Sequence, residues 1–184
     1  MKIYLAGPEV FLPDAAAVGA AKIALCQAAG CIGLYALEPA DAPPADAAPL
    51  ARAEAIFRNC VAQMNQADCA IANLTPFRGL GADPGTAFEV GYMIAAGKPV
   101  FAYTNDPASL EARVRAAAGG RLDTAADGEL RDREGLAVEP FGLAENLMLA
   151  CATPIVVHAA APADRYRDLT AFKLCLERVR ALIP

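Results

Sequence analysis

The segment Asp83-Pro-Gly-Thr-Ala-Phe-Glu89 joins two carboxylates to a turn and the start of a helix. It predicts that Glu89 lies within the first turn of that helix, between the apolar residues Phe88 and Val90. The positive end of the helix dipole favours an ionised carboxylate, and apolar neighbours limit its hydration. A carboxylate in that state can attack an anomeric carbon, which becomes strongly positive during covalent glycosyl transfer.

A purely structural role for the same residues is also open. Thr86-Ala-Phe-Glu89 has the spacing of a capping box, in which Thr86 caps the helix and Glu89 reaches back to the Thr86 amide. The spacing by itself does not decide between a capping residue and a catalytic one.

The elements around this segment predict the fold class. Short apolar runs alternate with longer helical patterns, which is typical of βαβ units and a parallel sheet. We therefore expect one domain over residues 1–184, an α/β fold with a doubly wound, five-stranded parallel sheet flanked by helices, of flavodoxin-like or Rossmann-like type. The predicted strands are 2–6, 31–37, 69–74, 99–103 and 154–157, and the predicted helices are 15–29, 52–66, 86–96, 110–118, 146–151 and 165–182.

Two polar segments fall between these elements. The proline-rich residues 39–49 predict a loop, and the charged residues 119–135 predict a mobile stretch. Ligands in doubly wound folds bind beyond the carboxyl ends of the strands. This rule directs attention to the loops 6–14 and 75–84 and to the turn into the Glu89 helix.

Composition excludes several classes of function. With 184 residues, 56% of them hydrophobic, and a net charge of −5, the chain is not a disordered protein and carries no basic footprint for nucleic acid. No apolar run approaches the roughly 18 residues of a membrane span, and the few apolar residues before Gly7-Pro8 do not form a signal peptide. We expect a cytoplasmic protein without a membrane partner.

The six cysteines include no CxxC pair, and His158 is the one histidine. This pattern does not predict a zinc site. We expect the cysteines to be reduced and mostly buried, and we expect no metal or organic cofactor.

Several sequence blocks in order carry a resemblance to a known family. They include Lys2-Ile-Tyr-Leu-Ala-Gly-Pro8, the segment from Asp83 to Tyr92 followed by Gly97-Lys-Pro-Val100, and the downstream Asn146-Leu-Met148. Through these blocks the chain resembles the nucleoside 2-deoxyribosyltransferases over most of its length.

The resemblance implies roles for individual residues. Glu89 matches the nucleophile that forms a covalent 2-deoxyribosyl intermediate, and Tyr4 matches the tyrosine that holds and tunes it. Asp83 matches the residue that binds the sugar 5'-hydroxyl; without the resemblance, Asp83 would be a turn residue and Tyr4 an ordinary strand residue. Asn146 and Met148 match residues that reach into a neighbouring subunit's site, which implies a homodimer or a higher homo-oligomer.

One position departs from the family pattern. Family members carry an aspartate eight residues before the position of Asp68, and it handles proton transfer to the leaving base. This chain has Cys60 there, with Asn59 beside it, and neither neutral side chain replaces a carboxyl as a general acid. The departure puts activation of the leaving group in doubt. Asn59 is a candidate for positioning the base, unless it is an ordinary helix residue.

Four further residues complete the predicted substrate site. Phe77 could stack on the base and its neighbour Arg78 could donate to it, although a plain turn with a solvated arginine fits as well. Gly7, Phe11 and Gly85 lie in the loops that this fold class uses for ligands.

The function expected from these residues is transfer of 2-deoxyribose between nucleobases by retaining double displacement, with hydrolysis as a side reaction and a role in nucleotide salvage. The partners would be deoxynucleosides and free nucleobases. One alternative is a hydrolase of 2'-deoxynucleoside 5'-monophosphates, whose members tend to carry serine at the Asp83 position, since a carboxylate repels a phosphate. A non-catalytic nucleotide-sensing module is the other alternative.

Overall fold

The computed structural model describes residues 1–36 and 48–182. The predicted loop 39–49 and the end of the predicted second strand therefore lie mostly outside the described residues. The strands are β1 (Lys2–Ala6), β2 (Ile32–Tyr35), β3 (Cys69–Asn73), β4 (Val100–Thr104), β5 (Asp123–Thr124), β6 (Leu130–Arg131) and β7 (Ile155–Val157). The helices are α1 (Ala15–Ala28), α2 (Pro49–Gln66), α3 (Pro84–Ala95), α4 (Leu110–Ala117), α5 (Leu147–Ala150) and α6 (Thr170–Arg180).

Five of these strands form one parallel sheet in the order β2-β1-β3-β4-β7. The chain leaves β1 toward one edge of the sheet and leaves β3 toward the other. The carboxyl ends of β1 and β3 therefore flank the switch point at which such folds bind their ligands. The predicted doubly wound, five-stranded parallel sheet flanked by helices is confirmed.

Helices cover both faces of the sheet, and β1 divides its side chains between them. Ile3 and Leu5 pack in the cluster that contains residues of α1 and α6. Tyr4 and Ala6 pack in the opposite cluster, with residues of α2 and α3. Because side chains alternate along a strand, this register places Tyr4 between α2 and α3.

Two predicted segments differ in the structure. Residues 119–135, predicted as a mobile polar stretch, contain β5 and β6 in an antiparallel hairpin, and Arg131 pairs with Asp127 at 2.9 Å. Helix α6 begins at Thr170 rather than at residue 165. Its predicted first turn is instead a loop, in which the carbonyls of Arg165 and Asp168 accept hydrogen bonds from Asn105 Nδ2 at 2.8 and 2.9 Å.

The six cysteines form no disulfide within the described residues, and four of them are buried, which confirms the expectation of mostly buried side chains. Among the helices of the described residues, none has the length and apolar character needed to cross a membrane.

Candidate active site

The carboxyl group of Glu89 is held by a residue far away in the sequence. The hydroxyl of Tyr4, on β1, donates a hydrogen bond of 2.5 Å to Glu89 Oε1, on α3. Tyr4 is completely buried. Burial and the nearby Glu89 carboxylate raise the pKa of Tyr4 far above its usual range, so that the phenol keeps its proton and remains a donor.

The helix that carries Glu89 begins earlier than its sequence pattern predicts. Asp83 is the cap of α3, since its Oδ2 accepts from the backbone N–H of Thr86 at 2.8 Å and from the Thr86 hydroxyl at 3.1 Å. Pro84 occupies the first helical position, where its missing N–H is harmless. Glu89 is consequently the sixth residue of α3 and lies beyond its first turn. The capping box with Thr86 as the cap is wrong, because Asp83 has that role.

The protonation of Glu89 also differs from the expectation of a stably ionised carboxylate. Burial raises the pKa of Glu89 to about 7, with the hydrogen bond from Tyr4 lowering it and the charge of Asp83 raising it. Outside the first turn, the helix dipole gives little compensation. The carboxyl group therefore titrates near neutral pH.

A cavity of about 510 Å³ opens between α2 and α3, above Tyr4. Its size lies within the usual range for small-molecule sites. On one side α3 contributes residues 85, 86 and 89 together with its cap Asp83, and on the other α2 contributes residues 52, 56 and 60. The structure brings six of the ten predicted site residues to this cavity: Tyr4, Gly7, Phe11, Asp83, Gly85 and Glu89.

The loop after β1 is anchored by a buried ion pair that the sequence analysis did not identify. Lys22 pairs with Glu9, and both side chains are inaccessible to solvent. Glu9 Oε1 also accepts from Asn73 Nδ2 at 2.9 Å and from the Tyr103 hydroxyl at 3.0 Å. A side chain at Gly7 would overlap the Glu9 carboxylate. In the sequence, the feature that could have indicated this ion pair is Lys22, the lone charged residue of the Ala-rich helix α1.

Phe77 does not line the cavity itself but packs against a residue that does. It stacks on Phe11 with a centroid separation of 5.0 Å, and Phe11 itself lines the cavity. The guanidinium of Arg78 lies over both rings, at 5.1 Å from Phe11 and 4.6 Å from Phe77. Arg78 also has a left-handed backbone with φ of 51°. These contacts make a cation–aromatic stack at the edge of the cavity.

The other three predicted residues do not line the cavity of a single chain. Asn59 neighbours Cys60 on α2, and its Nδ2 is buried without a hydrogen-bond partner among the described residues. Asn146 caps α5, with Oδ1 accepting from the Met148 N–H at 3.0 Å. Met148 is 72% exposed. Asn146 and Met148 thus lie on an accessible surface.

Three cavity residues on α2 form a stripe at positions i, i+4 and i+8: Arg52, Ile56 and Cys60. Burial raises the pKa of the Cys60 thiol, and the charge of Glu89 adds to this effect while the Tyr4 hydroxyl opposes it. Cys60 therefore stays a neutral thiol beside the carboxyl group. Arg52 and Ile56 were not identified from the sequence, although the four-residue spacing from Cys60 could have indicated them.

Comparisons with known proteins find similarity in sequence and in fold. A family model described as nucleoside 2-deoxyribosyltransferase matches residues 3–148. The uncharacterized protein C191.05c of Schizosaccharomyces pombe is 31% identical over 155 residues, which cover 79% of this chain and 74% of that protein.

Two solved structures are similar over most of their length. A 2-desoxiribosyltransferase from Leishmania mexicana has a TM-score of 0.64 and 29% identity, covering 96% of this chain and 97% of that chain. A conserved protein from Enterococcus faecalis V583 has a TM-score of 0.53 and 18% identity, covering 91% of this chain and 96% of that chain, and it shows likeness of fold alone.

Proposed function

The chain belongs to the nucleoside 2-deoxyribosyltransferase family, and we propose that it transfers 2-deoxyribose between nucleobases through a covalent intermediate on Glu89. The observation that carries this proposal is the Tyr4–Glu89 hydrogen bond in the wall of a cavity of nucleoside size. The similarity to the Leishmania mexicana 2-desoxiribosyltransferase supports the same type of reaction.

The proposed reaction has two displacements at C1'. Tyr4 holds Oε1 of Glu89, which leaves Oε2 to attack C1'. The C1'–N bond breaks, its electron pair leaves with the base, and a C1'–O bond to Glu89 forms. A second base then attacks C1' from the side that the first base left, and Glu89 regains its electron pair. Two inversions retain the configuration, and water in place of the second base gives hydrolysis.

Asp83 is suited to the sugar's 5'-hydroxyl. The hydrogen bonds that cap α3 use Oδ2, so Oδ1 is available to accept from a ligand. Asp83 is buried at the end of the α3 wall. A 5'-phosphate at the same place would face this carboxylate at short range, with repulsion strengthened by burial. Asp83 therefore favours nucleosides over nucleoside 5'-monophosphates as substrates.

We also propose that the enzyme is a homodimer or higher homo-oligomer with shared sites. Phe57 and Phe88 are 56% and 52% exposed, and their ring centroids lie 6.1 Å apart across α2 and α3. Met148, on α5, is more exposed still. Large apolar side chains grouped on a surface are typical of protein contacts. A second copy seated on this surface could bring its Asn146 and Met148 toward the cavity.

A base-exchange assay tests the proposed function. The protein is incubated with deoxyinosine plus adenine, and separately with thymidine plus adenine, and deoxyadenosine is measured by chromatography. We expect deoxyadenosine from at least one pair, and none with Glu89→Gln. Release of free base without transfer would indicate a hydrolase, and turnover confined to 5'-monophosphates would support the monophosphate N-glycosidase. No turnover of any donor would favour the sensing module.

A further inference from the structure

Arg52 is a cavity residue for which the proposed reaction has no role so far. Among the described residues that line the cavity, it alone carries a positive charge. Within residues 1–36 and 48–182 no carboxylate forms a salt bridge with it, whereas Arg58, six residues further along α2, pairs with Glu54 at 3.6 Å. The guanidinium of Arg52 can therefore donate to a ligand.

The position of Arg52 relates it to one part of a bound nucleoside. Cys60 lies beside Tyr4 and Glu89, and Arg52 lies two helical turns, or about 12 Å along the axis, nearer the start of α2. Arg52 thus stands away from the nucleophile, on the wall across from Asp83.

A nucleoside bound for the proposed reaction must span these two walls. Its C1' lies at Glu89, and its 5'-hydroxyl lies at Asp83 on the α3 side. The base then extends along the α2 side, past the apolar side chain of Ile56 and toward Arg52. The Hoogsteen edge of a purine, which carries N7 and the substituent at position 6, is then the part that faces the guanidinium.

On this basis, and resting on the proposed function, we propose that Arg52 recognises the acceptor edge of a 6-oxopurine and makes hypoxanthine and guanine nucleosides the preferred donors. A guanidinium has only hydrogen-bond donors, and its fork matches the O6 and N7 pair of these bases. Adenine presents an amino donor at position 6, which matches one arm of the fork poorly. A phosphate is a weaker candidate, because the 5' end of the sugar lies at the carboxylate of Asp83.

The same contact assists departure of the base in a chain that has Cys60 in place of the family's acid. When the C1'–N9 bond breaks, its electron pair spreads over the purine ring to O6 and N7. Arg52 stabilises that negative charge by hydrogen bonding from its planar guanidinium fork. The departed base takes its proton from solvent water, and the incoming base returns one to solvent.

Substrates that differ by one acceptor test this proposal. We compare wild type, Arg52→Met and Arg52→Lys with 2'-deoxyinosine and with purine 2'-deoxyriboside, which lacks O6, as donors and labelled adenine as the common acceptor. Arg52→Met should lower kcat/KM for deoxyinosine by on the order of tenfold to a hundredfold, and that for purine deoxyriboside, which keeps N7 but lacks O6, by a clearly smaller factor. Arg52→Lys should recover only part of the loss, since an ammonium lacks the fork.

Arg58→Met is the matched control, because Arg58 is exposed on the same helix and outside the cavity. This variant should leave kcat/KM unchanged for both donors. If Arg52→Met lowered kcat/KM equally for both donors, or lowered neither, the proposal would be overturned. A loss confined to deoxyinosine 5'-monophosphate would overturn it in favour of a phosphate contact. If the wild type transfers no sugar at all, the proposed function fails separately. Calorimetry then decides the role of Arg52, since Arg52→Met should weaken binding of hypoxanthine by a larger factor than binding of purine, which lacks O6.

Discussion

The hydroxyl of Tyr4 lies 2.5 Å from Oε1 of Glu89, across 85 residues of sequence. Burial of the carboxyl group raises its pKa to about 7, and this hydrogen bond is the contact that lowers it. The pair thus places the titration of a candidate nucleophile near neutral pH. Such a group is ionised often enough to attack and is poorly solvated when it does.

Replacement of Glu89 should separate activity from stability. Glu89→Gln should lower the rate of transfer by several orders of magnitude, because an amide cannot form the glycosyl ester. It should also stabilise the fold at pH 8 by up to about 3 kcal/mol, since wild type must keep a buried group ionised there with a pKa raised from 4.5 to about 7. Chemical denaturation at several pH values measures this difference.

The sign of that pH dependence is specific. In the unfolded chain Glu89 ionises with its ordinary pKa of about 4.5, so wild type loses stability as pH rises from about 4.5 through 7 and then levels off. The advantage of Glu89→Gln should therefore vanish below pH 4.5. Glu54→Gln, at an exposed carboxylate of α2, is the control. Retained transfer activity in Glu89→Gln would contradict the nucleophile assignment.

Tyr4→Phe should move the pH profile of the reaction. In wild type, kcat/KM should rise with pH through an apparent pKa near 7 as Glu89 ionises. Removing the hydroxyl removes the hydrogen bond that lowers the pKa of Glu89, so the acid limb should shift to higher pH. Initial rates between pH 5 and 9 measure the shift. A reduced rate with an unmoved limb would mean that Tyr4 only supports packing.

Asp83→Ser should alter substrate choice while sparing the helix. Serine is also a good helix cap, so the free energy of unfolding should change by less than about 1 kcal/mol. Losing the carboxylate should lower kcat/KM for deoxynucleosides and raise the relative use of their 5'-monophosphates, because the repulsion is gone. Parallel assays with deoxyinosine and its monophosphate measure the ratio. An equal loss on both substrates would assign Asp83 to capping alone.

Cys60→Asp should restore a general acid beside the departing base. We expect faster transfer from donors whose bases need protonation to leave, with Cys60→Ala as the matched control. The new carboxylate would also stand near Glu89 and raise its pKa further, so the gain should be accompanied by an acid limb at higher pH. Unchanged rates in Cys60→Ala together with simple destabilisation in Cys60→Asp would show that the proton has another source.

Shared sites can be detected by complementation. Glu89→Ala and Asn146→Ala should each be nearly inactive, because each oligomer then lacks one component in every site. Mixed under conditions that exchange subunits, they should recover activity, since a mixed pair contains one site with both residues intact. Native mass spectrometry can verify the exchange. An active monomer at assay concentration, or inactive mixtures despite verified exchange, would contradict shared sites.

Local sequence patterns determined the elements of this protein. Apolar runs and helical periods predicted the five parallel strands and the helices between them, since side-chain spacing depends on backbone geometry. They also predicted that the chemistry lies at the carboxyl ends of the strands, where Asp83 and Glu89 occur. Helix starts were less certain. Thr86 and Asp83 are both good N-terminal caps. Which of them starts α3 depends on the loop that precedes the helix.

Tertiary structure alone decided the properties that depend on distance and burial. The raised pKa of Glu89 follows mainly from burial of its carboxyl group, which its neighbours in sequence do not determine. The contact with Tyr4 and the place of Arg52 on the facing wall require the sheet order, which brings distant residues to one cavity. Residue types predicted which groups could react, whereas packing determined how strongly each holds its proton and which part of a substrate each can meet.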